Sequence, residues 1–184
     1  MLFMGEEYGE DAPLQYFTSH LDADLVEAVR RGRRDEFRSF GWEGLVPDPQ
    51  DEATFRRSQL RHSEKTQEPH ATLLRFYQEL IRIRKEHGLG LTAHCRVEEI
   101  GQSALLLRRE NPNGRLAIFF NFSFSQGTVA FELAEMQGLW RTKLSSADRA
   151  WRGPGESFPD ELRFSKPFVL DLHPQSFVLF EGVS

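Results

Sequence analysis

Cysteine is nearly missing from this chain. Cys95 is the only one in 184 residues, so no intrachain disulfide and no all-cysteine metal site can form. Long apolar runs are lacking too. No stretch approaches the roughly 20 residues that span a bilayer. The opening run Met1–Gly5 is far shorter than a signal h-region, and Glu6-Glu7 follows at once. A cytoplasmic protein is the resulting expectation. Positive charge is outweighed, with a formal net charge of -5. That argues against a nucleic-acid or anionic-membrane partner, since either wants a basic surface. Tyrosine and tryptophan number three each, against 16 phenylalanines that lie mostly in the second half. Such a bias suggests apolar sheet faces packed together. With 39% hydrophobic and 28% charged residues, the rest is ordinary for one or two globular domains.

Several chemical signatures are missing as well. His20, His62, His70, His87, His94 and His173 are scattered. They form neither an i, i+4 pair nor an H-E-x-x-H, so no zinc site is expected. Neither a G-x-S-x-G elbow nor a phosphate-binding glycine loop is present, and no cofactor is called for. Cys95 falls in an expected strand and reads as a small packed residue rather than a nucleophile.

What is present has a clear order. MLFMG is a short, wholly apolar strand pattern of the kind buried on both faces of a parallel sheet. A strand of that kind needs neighbours, and the chain holds no other βα units, so its beginning looks cut. Asp22 is a plausible N-cap for a helix over about 23–39, with Leu25, Ala28, Val29, Phe37 and Phe40 at helical spacing. Arg30, Arg31, Arg33 and Arg34 are interleaved with Glu27, Asp35 and Glu36, which favours a solvated, ion-paired face over an anion site. Residues 41–68 are irregular, but Trp42, Leu45, Val46, Phe55 and Leu60 give apolar anchors for an ordered loop. A short helix near 52–58 fits within it. Pro69 suits the first turn of a helix over about 69–87, ended by Gly88 or Gly90. From Leu91 the period becomes strand-like. Seven runs from CRVEEIG to SFVLFEG, separated by turn residues, describe an antiparallel β-sandwich or barrel. The domain boundary is expected at 90/91.

Candidates for chemistry are few. Glycoside hydrolysis needs two carboxylates facing each other across a bond, about 5–5.5 Å apart for retention. Glu6 and Glu7 are adjacent at a strand end and tend to point apart. Asp48, Asp51 and Glu52 read as solvated loop acids. Aromatic rings can take the C–H faces of sugars, which singles out Tyr8, Tyr16 and Phe17 in the first loop. Trp140 and Trp151 could make a platform on the sandwich, although core packing or hairpin cover suits them better.

A buried strand, Gly5-Glu6-Glu7, a long loop, a helix and a C-terminal β-domain are together similar to the end of an α-amylase-type barrel. The segments LFMGEEYGEDAPLQYFTSH, AVRRGRRDEF and VPDPQDEATFRRSQL resemble the malto-oligosyltrehalose trehalohydrolases of that glycoside hydrolase superfamily. YFTSH and VPDPQ…TF are the more specific parts. The resemblance implies an α+β fragment: the last strand and helices of a (β/α)8 barrel over residues 1–90, then a C-terminal antiparallel β-sandwich over 91–184. It implies release of trehalose from maltooligosyl trehalose, or action on a related α-glucan, by hydrolysis of the adjacent α-1,4 bond. The family's catalytic carboxylates lie on barrel strands four, five and seven, ahead of this chain's start, so no catalytic residue is assigned. Glu7 matches the Glu of the strand-eight Gly-x-Glu pattern. With Tyr16 and Phe17 it makes the expected substrate-binding set. A non-catalytic carbohydrate-binding or stabilising module is the alternative, as is a fragment of a branching or debranching enzyme.

Overall fold

In the computed structural model, residues 1–88, 94–112, 114–131, 136–155, 158–165 and 168–183 are described. They fall into two compact units, Met1–Ala71 and Thr72–Ser184. The first holds helices α1 (Ala23–Ser39) and α2 (Glu52–Arg57), and helix α3 (His70–Glu86) begins at its end. The second holds eight strands: β1 (His94–Ile100), β2 (Ala104–Asn111), β3 (Gly114–Asn121), β4 (Gly127–Phe131), β5 (Gly138–Ser145), β6 (Glu161–Phe164), β7 (Phe168–Leu172) and β8 (Ser176–Gly182).

The strands form a six-stranded sheet in the order β1-β2-β3-β8-β5-β6 and a two-stranded sheet, β4-β7. Every ladder is antiparallel. Alternation along β3 and β8 explains why these runs are continuously apolar. Ala117, Phe119, Val178 and Phe180 join Leu170 and Leu172 of the small sheet in one core. Leu116, Ile118, Phe177 and Leu179 face the other way, where Phe76, Leu80 and Ile83 of α3 pack on them. The central strands are thus covered on both faces. Asn121, buried at the end of β3, donates from Nδ2 to the carbonyls of Leu172 (3.2 Å) and His173 (3.0 Å), so a polar side chain links the two sheets.

The compact units divide one helix earlier than the 90/91 boundary expected from the change of period. Periodicity marks where a helix stops, whereas Phe76, Leu80 and Ile83 decide what it packs against. Seven strands match the expected runs. The eighth, β6, is four residues long, too short for alternation to stand out.

Three other expectations need correcting. Met1–Gly5 forms no ladder, and among the described residues the first strand is β1. Leu2, Phe3 and Met4 stand about half exposed, because a buried parallel strand requires neighbours on both edges. Cys95 lies in β1 as expected but is exposed, since β1 is an edge strand. The apolar anchors expected in the loop 41–68 lie mostly at the surface: Trp42, Leu45 and Phe55 are exposed and Val46 and Leu60 half-buried, while Thr54 and Ser58 are buried.

Helix starts follow local chemistry. Asp22 Oδ1 accepts from Leu25 N (2.8 Å) and Asp51 Oδ1 from Ala53 N (2.9 Å), satisfying donors that a first turn leaves open. Pro69 directly precedes α3 instead of standing within its first turn. Gly88 follows its end in the left-handed region, with its N–H on the Lys85 carbonyl (3.1 Å).

Candidate functional site

Two hydrogen-bonded networks organise the first unit. One surrounds Glu10. Gly5 has φ 88°, and a Cβ there would lie 2.6 Å from Glu10 Cβ, so the turn at 5–10 requires glycine. The Glu10 side chain is only 3% exposed. Its Oε2 accepts from the Tyr8 hydroxyl (2.9 Å) and Arg61 N (2.6 Å), and its Oε1 from Ala12 N (2.9 Å) and Arg61 Nε (3.1 Å). Burial alone would push this carboxyl up. The amides of Arg61 and Ala12, the Tyr8 hydroxyl and the Arg61 side chain outweigh it and hold the group at about 2. Tyr8 is fully buried, and that burial, with its hydrogen bond to Glu10 and the nearby negative charge, pushes its phenol up to about 12. His70 Nδ1 lies 2.7 Å from the Tyr8 carbonyl, with Nε2 3.8 Å from Glu64 Oε2.

The second network joins the YFTSH and VPDPQ segments. Thr18 N donates to the Pro49 carbonyl (2.8 Å). Gln50 Oε1 accepts from Thr18 Oγ1 (3.3 Å) and His20 N (3.2 Å), while its Nε2 donates to the His20 carbonyl (2.8 Å). Gln50 therefore serves the facing backbone as a strand neighbour would. Asp48 is clasped by Arg30, whose Nε lies 2.9 Å from both carboxylate oxygens. The Arg30 guanidinium holds the Asp48 carboxyl below its ordinary range, opposed by burial. The Asp48 carbonyl takes the Thr54 hydroxyl (2.7 Å). Ser58 Oγ accepts from Gln15 N (3.1 Å) and donates to the Thr54 carbonyl (3.0 Å). Asp48 is thus a fixed structural acid, Asp51 is exposed while capping α2, and Glu52 pairs with Arg56 (2.7 Å).

The three expected substrate-binding residues are not gathered in one place. Glu7 lies in a 3-10 turn, Glu6–Tyr8, with Oε2 accepting from Gly5 N (3.1 Å) and Oε1 3.8 Å from Lys65 Nζ. Tyr16 borders a hollow of about 290 Å³ with Arg33, Phe37 and Trp42. Phe17 borders a different one of about 570 Å³ with Thr18, Gln50, Asp51 and Phe55, and meets Phe55 edge-on at 5.1 Å. Consecutive residues of an extended segment project to opposite sides. Trp42, Phe55, Gln50 and the Glu10–Arg61 pair were not singled out as site residues. The spacing of VPDPQ carries no sign that Gln50 reaches residues 30 positions earlier.

Trp140 is 2% exposed, with Nε1 donating to the Met136 carbonyl (2.8 Å), so it is core and no sugar platform. Trp151 packs on Phe76 at 5.3 Å.

No protein-family model matches the chain. Among curated proteins, the malto-oligosyltrehalose trehalohydrolase of Arthrobacter ramosus is 58% identical over 87 residues, 47% of this chain and 15% of that protein. The malto-oligosyltrehalose trehalohydrolase of Saccharolobus solfataricus is 37% identical over 181 residues, 98% of this chain and 26% of its own length. Over nearly its whole length the chain is similar to a malto-oligosyltrehalose trehalohydrolase. It spans about a quarter of the Saccharolobus solfataricus protein and 15% of the Arthrobacter ramosus one. Among solved structures, a protein from Salmonella typhimurium assigned as an α-amylase aligns with a TM-score of 0.70 at 28% identity, over 97% of this chain and 27% of that one. An α-amylase from H. orenii shares the fold alone, with a TM-score of 0.50 at 17% identity, over 77% of this chain and 26% of that one. Malto-oligosyltrehalose trehalohydrolases are thus the sequence relatives and α-amylase-family proteins the structural ones. The fold likeness to the Salmonella typhimurium protein takes in this chain's mixed α/β segment and its antiparallel sheets.

Proposed function

We propose that this chain is the C-terminal part of a trehalose-releasing glycoside hydrolase, supplying one wall of the sugar site and a C-terminal β-domain. The observation that carries this is the hydrogen-bonded join of YFTSH to VPDPQ through Gln50, made by the two segments that most resemble the family. The whole enzyme would hydrolyse the α-1,4 bond next to the terminal trehalose unit of maltooligosyl trehalose. Met1–Gly5, which forms no ladder within this chain, would become the eighth strand of an α/β barrel beside strands supplied by the rest of the enzyme, with the loop after it at the C-terminal end of the strands where such barrels bind substrate. Glu7, Tyr16 and Phe17 are the ligand contacts in this reading. The reacting carboxylates come from outside the chain: Glu10, Asp48 and Asp51 are committed to Arg61, Arg30 and a helix cap.

A chimera tests this directly. With this chain in place of the matching segment of the Saccharolobus solfataricus relative, the hybrid should release trehalose from maltooligosyl trehalose, while the chain alone should release none. A folded hybrid without turnover, or robust turnover by the chain alone, would count against the proposal.

A further inference from the structure

We propose that β1 is a self-complementary edge through which two copies of this chain pair into one continuous antiparallel sheet. The inference does not depend on the hydrolase reading above. β1 ends the six-stranded sheet, and among the described residues its only ladder is with β2. An edge strand presents a row of backbone donors and acceptors ready for another strand. The opposite edge, β6, is four residues long, and a short strand is one way of blunting an edge. β1 runs for seven mostly exposed residues without a proline.

The occupant follows from charge. Across the β1–β2 ladder Arg96 stands directly opposite Arg108, and like charges so placed repel. Glu98 pairs with Arg108. Arg96 is exposed, and among the described residues it pairs with no carboxylate. A second copy supplies that carboxylate. Two copies related by a two-fold axis normal to the sheet keep opposite side chains on one face only when the pairing centres on a residue. Centred on Val97, the ladder takes in the whole strand. Arg96 of each copy then faces Glu98 of the other, Cys95 faces Glu99, and His94 faces Ile100. Val97, 59% exposed in the single chain, meets its counterpart. Other centres fail. Arg96 or Glu98 at the centre would oppose that residue to its own charge. Cys95 at the centre would set His94 against Arg96 and engage only residues 94–96. A strand from another protein would have to carry the same alternation, which this chain supplies by itself. One short ladder is smaller than the roughly 1,200 Å² buried by stable complexes, so the association is weak and concentration-dependent.

Sedimentation velocity of the 184-residue chain under reducing conditions, from about 1 μM to about 500 μM, reads this association. The mass should rise from 21.3 kDa toward twice that value. Arg96→Glu and Glu98→Arg should each weaken association at least about tenfold, since each sets like charges opposite one another twice. Mixed in equal amounts, the two variants should associate again, because one strand is then acidic at 96 and 98 and the other basic. A parent that stays monomeric throughout overturns the proposal. So do single variants that associate as the parent does, or a mixture no stronger than either variant alone. Glu98 also pairs with Arg108, so circular dichroism checks that Glu98→Arg is folded. If it is not, Arg96→Glu against the parent decides by the same criterion.

Discussion

Glu10 carries a charge in the near absence of water, and its neighbours supply what the water would. Its folded carboxyl sits at about 2 against 4.5 for the free group, so on acidification the unfolded chain takes up the proton first. The stability it contributes is complete above pH 4.5 and is lost as pH falls toward 2. Tyr8 has the opposite sign: raised from 10.0 to about 12, it contributes below pH 10 and loses that as pH rises toward 12. Glu10→Gln should cost about 1–3 kcal/mol near neutrality by leaving buried donors poorly matched. It should also flatten the acid limb. Urea unfolding of both proteins between pH 2 and pH 7 checks this, and parallel pH profiles would refute it. In the sequence Glu10 is one acid among 28 acidic residues. Nothing local marks it, because Arg61, its partner, is 51 positions away.

At the scale of elements, local chemistry and packing part company. The start of α1 was legible because capping depends on neighbours three residues apart, as Asp22 and Leu25 show. Asp22→Ala should therefore cost about 1 kcal/mol. The assignment of α3 to the β unit was not legible, because it depends on Ile83, 1% exposed, meeting Leu116, Leu144 and Leu179. Ile83→Ala should destabilise that unit by about 2–4 kcal/mol, the loss of a buried aliphatic side chain plus a cavity. Thermal unfolding followed by near-ultraviolet circular dichroism resolves the two variants. A smaller loss at Ile83 than at Asp22 would contradict this packing.

For the whole molecule, the two units differ in how much they bury. The two sheets enclose Leu106, Phe119, Trp140 and Phe180, each at most 2% exposed. In Met1–Ala71, by contrast, Leu21 and Leu45 are 101% and 94% exposed, and α1 has no buried residue. Local opening is easiest where few apolar side chains are covered. Brief trypsin treatment should therefore remove residues 1–71 and leave a fragment of about 72–184, identified by mass. Equal survival of both parts would contradict this.

The sequence by itself determined the helix start at Asp22, a short helix near 52–58, seven of the strands, and the family resemblance through YFTSH and VPDPQ. All of these depend on residues close together along the chain. Only the tertiary structure decided that Tyr16 and Phe17 border separate hollows, that α3 packs with the sheet, that Glu10 is buried under Arg61, and that Met1–Gly5 has no ladder. Each of those turns on contacts between distant residues, or on their absence, and no local pattern encodes either.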